Sequence, residues 1–183
     1  MATGSPPDEA PPLPPSSPAD PASWLLLCRT VRFGDTDAAG VMHFHQLLRW
    51  CHEAYEESLE RFGLAPAEVF PRPVWGNGIE GLSEDAAVVA ARPATALPIV
   101  HCSADYLRPL RVGDPLAIAL QPSRLDPALF EVRYSFRSEG ALVARGLTRH
   151  LAIRASDRQR CGLPESIHRW LEASGLGCGI REV

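Results

Sequence analysis

Apolar residues follow two different spacings along this 183-residue chain. From Trp24, a run rich in Leu and Val that gains polar residues toward its end is typical of a β-strand. The spacing then changes to three and four residues and predicts an amphipathic helix opening near Phe44, with apolar positions Leu47, Leu48, Cys51, Ala54, Tyr55, Leu59 and Phe62. Gly63 follows as a C-terminal cap, which gives this helix about four to five turns.

The second half of the chain has the pattern of a sheet. After Pro98, apolar runs separated by Gly- and Pro-containing turns predict four strands, at 99–107, 115–125, 129–137 and 142–154. Short turns between strands imply antiparallel neighbours. A final helix is predicted from Pro164 to Ala173, since proline suits a first helical turn. A strand, a long helix and then four strands predict an α+β domain in which the helix packs on a mostly antiparallel sheet.

The chain divides into one domain and two tails. Residues 1–22 contain eight prolines among small and acidic residues, which predicts a disordered tail, with a Pro-rich docking peptide as the alternative. Residues 23–175 form the predicted domain, and 176–183 a C-terminal tail. Within the domain, residues 64–94 are rich in Pro, Gly and Ala, and we expect irregular structure there with room for short helices.

Composition excludes several classes of protein. No apolar run approaches the roughly 18 residues of a membrane span, and a net charge of -4 argues against a nucleic-acid-binding surface. All 18 basic residues are Arg, so chemistry that depends on a lysine Schiff base or a P-loop lysine is excluded. Five cysteines at irregular spacing, without a secretory signal pattern before them, favour the reducing cytoplasm. We expect no metal and no cofactor.

One carboxylate stands out for its position. The loop Phe33–Val41 has the sequence FGDTDAAGV and precedes the long helix, so Asp37 lies just ahead of a helix N-terminus. Unpaired N–H groups at a helix start polarise a carbonyl oxygen docked there and stabilise the oxyanion that develops on it. This combination suits thioester hydrolysis. The same residue types also make ordinary turns and helix caps, so the loop sequence alone does not decide between the two interpretations.

Five blocks of sequence, taken in order, resemble a known family. They are DTDAAGV at 35–41, CHEAYEESL at 51–59, ALPIVH at 96–101, DYLRPL at 105–110 and LVARGLTRH at 142–150. From about Thr30 to Leu171 the chain resembles the hotdog-fold thioesterases of the 4-hydroxybenzoyl-CoA thioesterase type, in which an antiparallel sheet wraps a central helix. Within that group it is most similar to the cyanobacterial 1,4-dihydroxy-2-naphthoyl-CoA hydrolases of phylloquinone (vitamin K1) synthesis.

The resemblance implies a reaction and two principal groups. Asp37 is the expected catalytic carboxylate, acting either as nucleophile or as general base for water, and Asp35 is a supporting residue. The backbone N–H of Phe44 is expected to polarise the thioester carbonyl. Alternative substrates are another aroyl-CoA or a fatty acyl-CoA, and the alternative of another class is a non-catalytic acyl-binding module. Enzymes of this type work as dimers of dimers, with the acyl pocket at a subunit interface and no metal.

Further residues are candidates for substrate binding. Val41, Ile99 and Val100 adjoin the matched blocks and are expected to contact the acyl ring, as is the Phe44 side chain. Arg108 and Arg149, together with Arg111 and Arg145, are candidates for the CoA phosphates because guanidinium groups pair well with phosphate oxygens.

His43 flanks the predicted helix start, where we expect its ring to hydrogen-bond locally, with a general-acid role as the alternative. On the helix itself, His52 and Glu56 lack the second histidine of a zinc-protease motif. Glu53 and Glu57 are expected to be exposed helical carboxylates rather than catalytic ones.

Overall fold

The computed structural model describes residues 20–70 and 94–176. The predictions made for most of the N-terminal tail, for 71–93 and for 177–183 lie outside these described residues. The helices are α1 (Ala22–Leu25), α2 (Phe44–Arg61), α3 (Pro66–Val69) and α4 (Glu165–Leu176), with a 3₁₀ turn at Phe33–Asp35. The strands are β1 (Leu26–Thr30), β2 (Thr95–Ala96), β3 (Ile99–Tyr106), β4 (Pro115–Asp126), β5 (Leu129–Ser138), β6 (Ala141–Leu151) and β7 (Ile153–Arg154).

Five strands form one antiparallel sheet in the order β1-β4-β5-β6-β3. The short strands β2 and β7 pair separately. Glu139 and Gly140 form the turn between β5 and β6, and Gly140 has a φ of 79°, a left-handed conformation that glycine adopts without steric cost. The strands β1 and β3 are the two edges of the sheet.

Helix α2 lies across one face of this sheet and buries its apolar stripe there. It contacts β3, β4 and β6, and it approaches β6 closely at Gly146, which has no side chain to keep Cys51 away. The large fully buried side chains opposite the helix include Leu116, Ile118, Phe130, Tyr134 and Phe136. The architecture is therefore the predicted α+β one, with a single long helix packed on an antiparallel sheet.

The predicted first strand is wrong over its first two residues. Trp24 and Leu25 belong to helix α1, whose first turn Asp20 supports by accepting a hydrogen bond from the Ala22 N–H at 3.0 Å. Both side chains are buried, and the Trp24 ring packs edge-on against Phe62 with centroids 5.3 Å apart. A continuous apolar run fits a buried helix as well as a strand, so its spacing could not distinguish them.

The predicted last strand, 142–154, is interrupted. Ala152 separates β6 from β7: its N–H donates to the Ala128 carbonyl at 2.8 Å, and its carbonyl accepts from the Cys161 N–H at 3.0 Å. The chain therefore leaves the main sheet and pairs with β2 instead. The other boundaries of the four predicted strands agree with the structure to within one residue. Among the described residues, none of the helices has the length and apolar character needed to cross a membrane.

Candidate active site

The loop before α2 closes on itself. The Asp37 N–H donates to the Val41 carbonyl at 2.9 Å, and the Gly40 N–H donates to the Asp37 carbonyl at 3.0 Å. Gly40 has a φ of 75°, so the tight turn requires a conformation that other residues adopt only with strain. Thr36 and Met42 form an isolated antiparallel bridge at the mouth of the loop. These contacts fix the backbone that carries Asp37.

The Asp37 carboxylate has one occupied oxygen and one free oxygen. Oδ1 accepts hydrogen bonds from the Ala39 N–H at 2.8 Å and from the Val41 N–H at 3.4 Å. Oδ2 has no hydrogen-bond partner among residues 20–70 and 94–176, and the side chain is exposed. The loop therefore orients the carboxylate through Oδ1 and leaves Oδ2 available for chemistry.

The start of α2 supplies an unpaired donor. His43 is the N-cap, and its Nδ1 accepts from the His45 N–H at 3.4 Å, while the Gln46 N–H donates to the His43 carbonyl at 3.0 Å. The Phe44 N–H has no acceptor in the described parts of the chain. It is the first residue of the helix, where N–H groups lack intrahelical partners and the helix dipole is positive.

Asp37 and Phe44 line the same cleft, which has a volume of about 390 Å³. Its other lining residues are Val41, Met42, Tyr106, Leu107, Arg108, Pro109 and Leu110. The cleft thus brings together, beside mainly apolar walls, the residue with the free carboxylate oxygen and the residue with the unpaired helix N–H. In general, a helix N–H can stabilise a carbonyl oxygen and a carboxylate can act as nucleophile or base toward its carbon.

The segment 106–110 begins with the last residue of β3 and forms another wall of the cleft. It is bonded both to the sheet and to the loop before α2. The N–H groups of Leu107 and Arg108 donate to the Val143 carbonyl of β6, at 2.9 and 3.1 Å. The Met42 N–H donates to the Leu110 carbonyl at 2.8 Å. At the other end of the segment, the Tyr106 hydroxyl donates a hydrogen bond to the Phe44 carbonyl. The cleft is therefore framed by elements that the sheet holds in place.

Four predicted site residues come together in this cleft: Asp37, Phe44, Val41 and Arg108. The Arg108 side chain is exposed at its rim. Two further predicted residues lie next to it without lining it. His43 caps the helix through Nδ1, and Asp35 accepts a hydrogen bond from the Arg32 N–H at 2.7 Å through its carboxylate and from the His43 N–H at 2.8 Å through its carbonyl.

The remaining predicted site residues, which include Arg111 and Arg145, do not line this cleft. Ile99 and Val100 begin β3, at the end of that strand away from Tyr106, and both are exposed. Arg149 projects from the face of the sheet opposite α2, where its Nε donates to Glu131 at 3.0 Å. Glu131 also contacts Arg133, at 2.7 Å, and is buried between the two arginines. The cleft of this subunit therefore does not include Ile99, Val100 or Arg149.

The Cys51 thiol and the Glu57 carboxylate lie in surroundings that suit a structural role. Burial, and then the neighbouring Cys102 thiol, raises the pKa of Cys51 to about 12, which keeps that thiol protonated and unreactive. Partial burial acts to raise the pKa of Glu57, but ion pairs with Arg29 and Arg61 lower it overall. In the described residues, no three His, Cys, Asp or Glu side chains are grouped closely enough to hold a metal ion.

Several cleft residues were not singled out from the sequence as site residues, namely Met42, Tyr106, Leu107, Pro109 and Leu110. Four of these belong to the DYLRPL block, which contributed to the family resemblance without being assigned a role. The block follows a predicted strand and sits far from Asp37 in sequence. Only the pairing of β3 with β6 brings it beside the loop.

Comparison with known proteins shows the family to which the chain belongs. Residues 31–171 match the model of the thioesterase-like superfamily. A 1,4-dihydroxy-2-naphthoyl-CoA hydrolase from Prochlorococcus marinus strain MIT 9303 is 58% identical over 158 residues, which cover 86% of this chain and 96% of that protein. The enzyme of the same name from Synechococcus sp. strain RCC307 is 62% identical over 144 residues, covering 79% and 98%.

Solved structures show the same fold. A protein from Prochlorococcus marinus strain MIT 9313, provisionally described as a thioesterase, superposes with a TM-score of 0.73 at 56% identity, covering 85% of this chain and 99% of that one. A 1,4-dihydroxy-2-naphthoyl-CoA thioesterase from Synechocystis superposes with a TM-score of 0.64 at 27% identity, covering 85% and 96%.

Proposed function

Because the chain belongs to the thioesterase-like superfamily, we propose that it hydrolyses 1,4-dihydroxy-2-naphthoyl-CoA to 1,4-dihydroxy-2-naphthoate and CoA. Its fold is the hotdog fold of the thioesterases it resembles. The observation that carries the proposal is that one cleft is lined both by Asp37, which has a free carboxylate oxygen, and by Phe44, which has an unpaired N–H. Relatives that share more than half of their residues with this chain and bear this substrate in their names support the choice of acyl group.

The chemistry assigns one task to each group. The thioester carbonyl oxygen accepts a hydrogen bond from the Phe44 N–H. This bond stabilises the negative charge that develops on that oxygen. In the nucleophilic route, an Asp37 oxygen attacks the carbonyl carbon, the C–S bond breaks, CoA leaves as thiolate, and water hydrolyses the resulting mixed anhydride. In the general-base route, Asp37 removes a proton from water, and the hydroxide attacks the same carbon with departure of the thiolate. Both routes use the same two groups in the same cleft.

The cleft walls suit an aromatic acyl group. Val41, the exposed Phe44 ring and the segment from Tyr106 to Leu110 offer apolar and aromatic surface beside the reacting carbonyl. Arg108 is placed at the rim to meet a phosphate of CoA. A different aroyl-CoA or a fatty acyl-CoA remains the alternative substrate, and a non-catalytic acyl-binding module the alternative of another class.

The edge strand β3 supports a homo-oligomer as the working form. Every residue of β3 except Ala104 is exposed, and no strand of residues 20–70 or 94–176 pairs with its outer side. An unpaired edge strand of this length is a template for pairing with a second copy. If two β3 strands pair antiparallel about their midpoint, Ile99 of the partner subunit comes opposite Tyr106 of this one. The partner then adds Ile99 and Val100 to the cleft.

A wider biological setting follows from the same substrate. We place the reaction in phylloquinone synthesis, in the cytoplasm, with a dimer of dimers as the assembly. The substrate named for the relatives supports the pathway, and the exposed edge of β3 supports the dimer within that assembly.

A substrate panel tests the proposed function. We would measure kcat/KM for 1,4-dihydroxy-2-naphthoyl-CoA, benzoyl-CoA and palmitoyl-CoA, because discrimination between substrates is expressed in that ratio. We expect the naphthoyl ester to exceed the other two by at least about tenfold. Faster turnover of palmitoyl-CoA would reject the substrate assignment, and no turnover of any thioester would favour the acyl-binding module.

A further inference from the structure

The Tyr106 hydroxyl makes the one side-chain hydrogen bond that reaches the Phe44 backbone within the described residues. Tyr106 is the last residue of β3 and pairs with Ala144 of β6, so its backbone is anchored in the sheet. Its ring lines the cleft and its hydroxyl donates to the Phe44 carbonyl, in the first turn of α2. A rigid element is thus joined directly to the residue whose N–H is the oxyanion donor.

The first turn of a helix needs such support. Its N–H groups lack intrahelical partners, and helix ends fray. The Phe44 side chain gives little anchorage, because it is 69% exposed and its ring contacts are with His43 and His45. An N–H that is free to stabilise an oxyanion has to be held in direction by bonds made elsewhere in the same turn.

Two hydrogen bonds from the segment 106–110 provide this hold from both sides. The Leu110 carbonyl accepts from the Met42 N–H at 2.8 Å, just before the N-cap. The Tyr106 hydroxyl donates to the carbonyl of Phe44, the residue just after the N-cap. The peptide between His43 and Phe44, which carries the unpaired N–H, lies between these two attachments.

We propose that Tyr106 is a positioning residue, whose hydroxyl fixes the first turn of α2 so that the Phe44 N–H stays directed into the cleft. This role rests on the proposed thioesterase function. The Tyr106 hydroxyl contributes to that function through the Phe44 backbone and does not itself touch the reacting atoms. Burial raises the pKa of Tyr106, so the hydroxyl is protonated and able to donate throughout the neutral range.

Replacement by phenylalanine isolates the hydroxyl. Tyr106→Phe keeps the ring that lines the cleft and removes only the hydrogen bond to Phe44. We expect kcat to fall about tenfold, as for the loss of one hydrogen bond that acts in the transition state, and KM to change by less than about twofold. The matched control is Tyr55→Phe, which removes a buried hydroxyl that lies outside the cleft and has no hydrogen-bond partner in the described part of the chain. We expect its kcat to be unchanged.

A double-mutant cycle shows whether Tyr106 acts through the Phe44 N–H. Phe44→Pro removes that N–H while keeping a residue that suits the first helical position. If Tyr106 positions this donor, Tyr106→Phe should have almost no further effect on kcat in the Phe44→Pro background. Hydrogen exchange provides a readout independent of activity, since amides 44–46 should exchange faster in Tyr106→Phe and at the wild-type rate in Tyr55→Phe.

The outcomes separate this role from the function on which it rests. The rates are measured with whichever thioester the wild-type protein turns over best. The positioning role is overturned if Tyr106→Phe leaves kcat unchanged. It is also overturned if Tyr106→Phe lowers kcat equally in the wild-type and Phe44→Pro backgrounds. In either case the hydrolase function stands as long as Asp37→Asn abolishes hydrolysis. An Asp37→Asn variant as active as the wild type instead contradicts the hydrolase mechanism, and the role of Tyr106 with it.

Discussion

A Cβ placed on Gly146 would lie 2.4 Å from the Sγ of Cys51, far inside any allowed contact. Gly146 is on β6 and Cys51 is on α2, so the long helix and the sheet approach closely at this pair. Both residues are buried. A side chain on Gly146 would not fit at this separation of the two elements.

Gly146→Ala is expected to destabilise the protein by about 1–3 kcal/mol, the usual cost of overpacking a core. Cys51→Ala alone should cost less, and adding it to Gly146→Ala should recover part of the loss because it removes the clashing sulfur. Urea unfolding of the four proteins measures the coupling. Strictly additive losses would show that the two residues are not in the contact described.

The buried histidine predicts a pH dependence of stability. Desolvation by burial lowers the pKa of His150 to about 4, although the nearby Leu97 backbone opposes this effect. Its Nε2 lies 2.9 Å from the Thr148 hydroxyl, and its ring is stacked on Phe130 with centroids 4.7 Å apart. The folded protein therefore keeps this imidazole neutral where the unfolded chain protonates it.

Because the unfolded histidine titrates near 6.5, the unfolded state binds more protons than the folded state between pH 6.5 and pH 4. The free energy of unfolding should fall over this interval, by up to about 3 kcal/mol from His150. The His150→Gln variant should lack this contribution. The check is urea unfolding of both proteins at pH 6.5 and at pH 4, and parallel losses in the two proteins would contradict the prediction.

Self-association through β3 should be sensitive to a charge on that edge. Val100 is 52% exposed, so Val100→Asp should leave the isolated fold intact and place two like charges at the interface between copies. We expect the dimer to dissociate at concentrations at least about tenfold higher than for the wild type. The matched control is Val112→Asp, at a residue 51% exposed but outside β3. Sedimentation velocity distinguishes them, and equal behaviour of the two variants would exclude this edge as the interface.

The Phe44 N–H, which we propose as the oxyanion donor, can be removed without removing the helix. His43, the N-cap, has φ -64° and ψ 137°, an extended conformation that tolerates a following proline. Phe44→Pro deletes the N–H, and the expected loss in kcat is about 100-fold or more. Phe44→Ala, which keeps the N–H and loses the ring, controls for the side chain and should retain a higher kcat. Similar kcat values in the two variants would remove the Phe44 N–H from the mechanism.

Local sequence patterns predicted the helices and strands in which buried residues recur at a regular spacing. The helix expected near Phe44 with its cap at Gly63 is α2, which ends at Arg61, and Gly63 has a φ of 96°. Apolar runs separated by Gly- and Pro-containing turns predicted the four strands as well, except that the last of them is interrupted at Ala152. The loop-to-helix pattern drew attention to Asp37, the family resemblance added the Phe44 N–H, and in the structure both residues line one cleft.

Contacts between distant segments could not be derived in this way. Tyr106 reaches Phe44 only because β3 pairs with β6, a register that no local pattern encodes. The pairing of Arg149 with Glu131 depends on the register of β5 with β6 in the same way. Ile99 and Val100 were expected at the acyl site, and a subunit interface formed by β3 is what would bring them there. The sequence of one chain contains no direct record of such an interface.

The most direct test of the account is the rate of thioester hydrolysis by Asp37→Asn, measured under single turnover with saturating enzyme. Asp35→Asn is the matched control, since it makes the same change in the same loop and an asparagine oxygen can still accept from the Arg32 N–H. The account predicts a loss of at least about 100-fold for Asp37→Asn, with binding of the CoA ester retained, and a much smaller loss for Asp35→Asn. Hydrolysis by Asp37→Asn at the wild-type rate would contradict it.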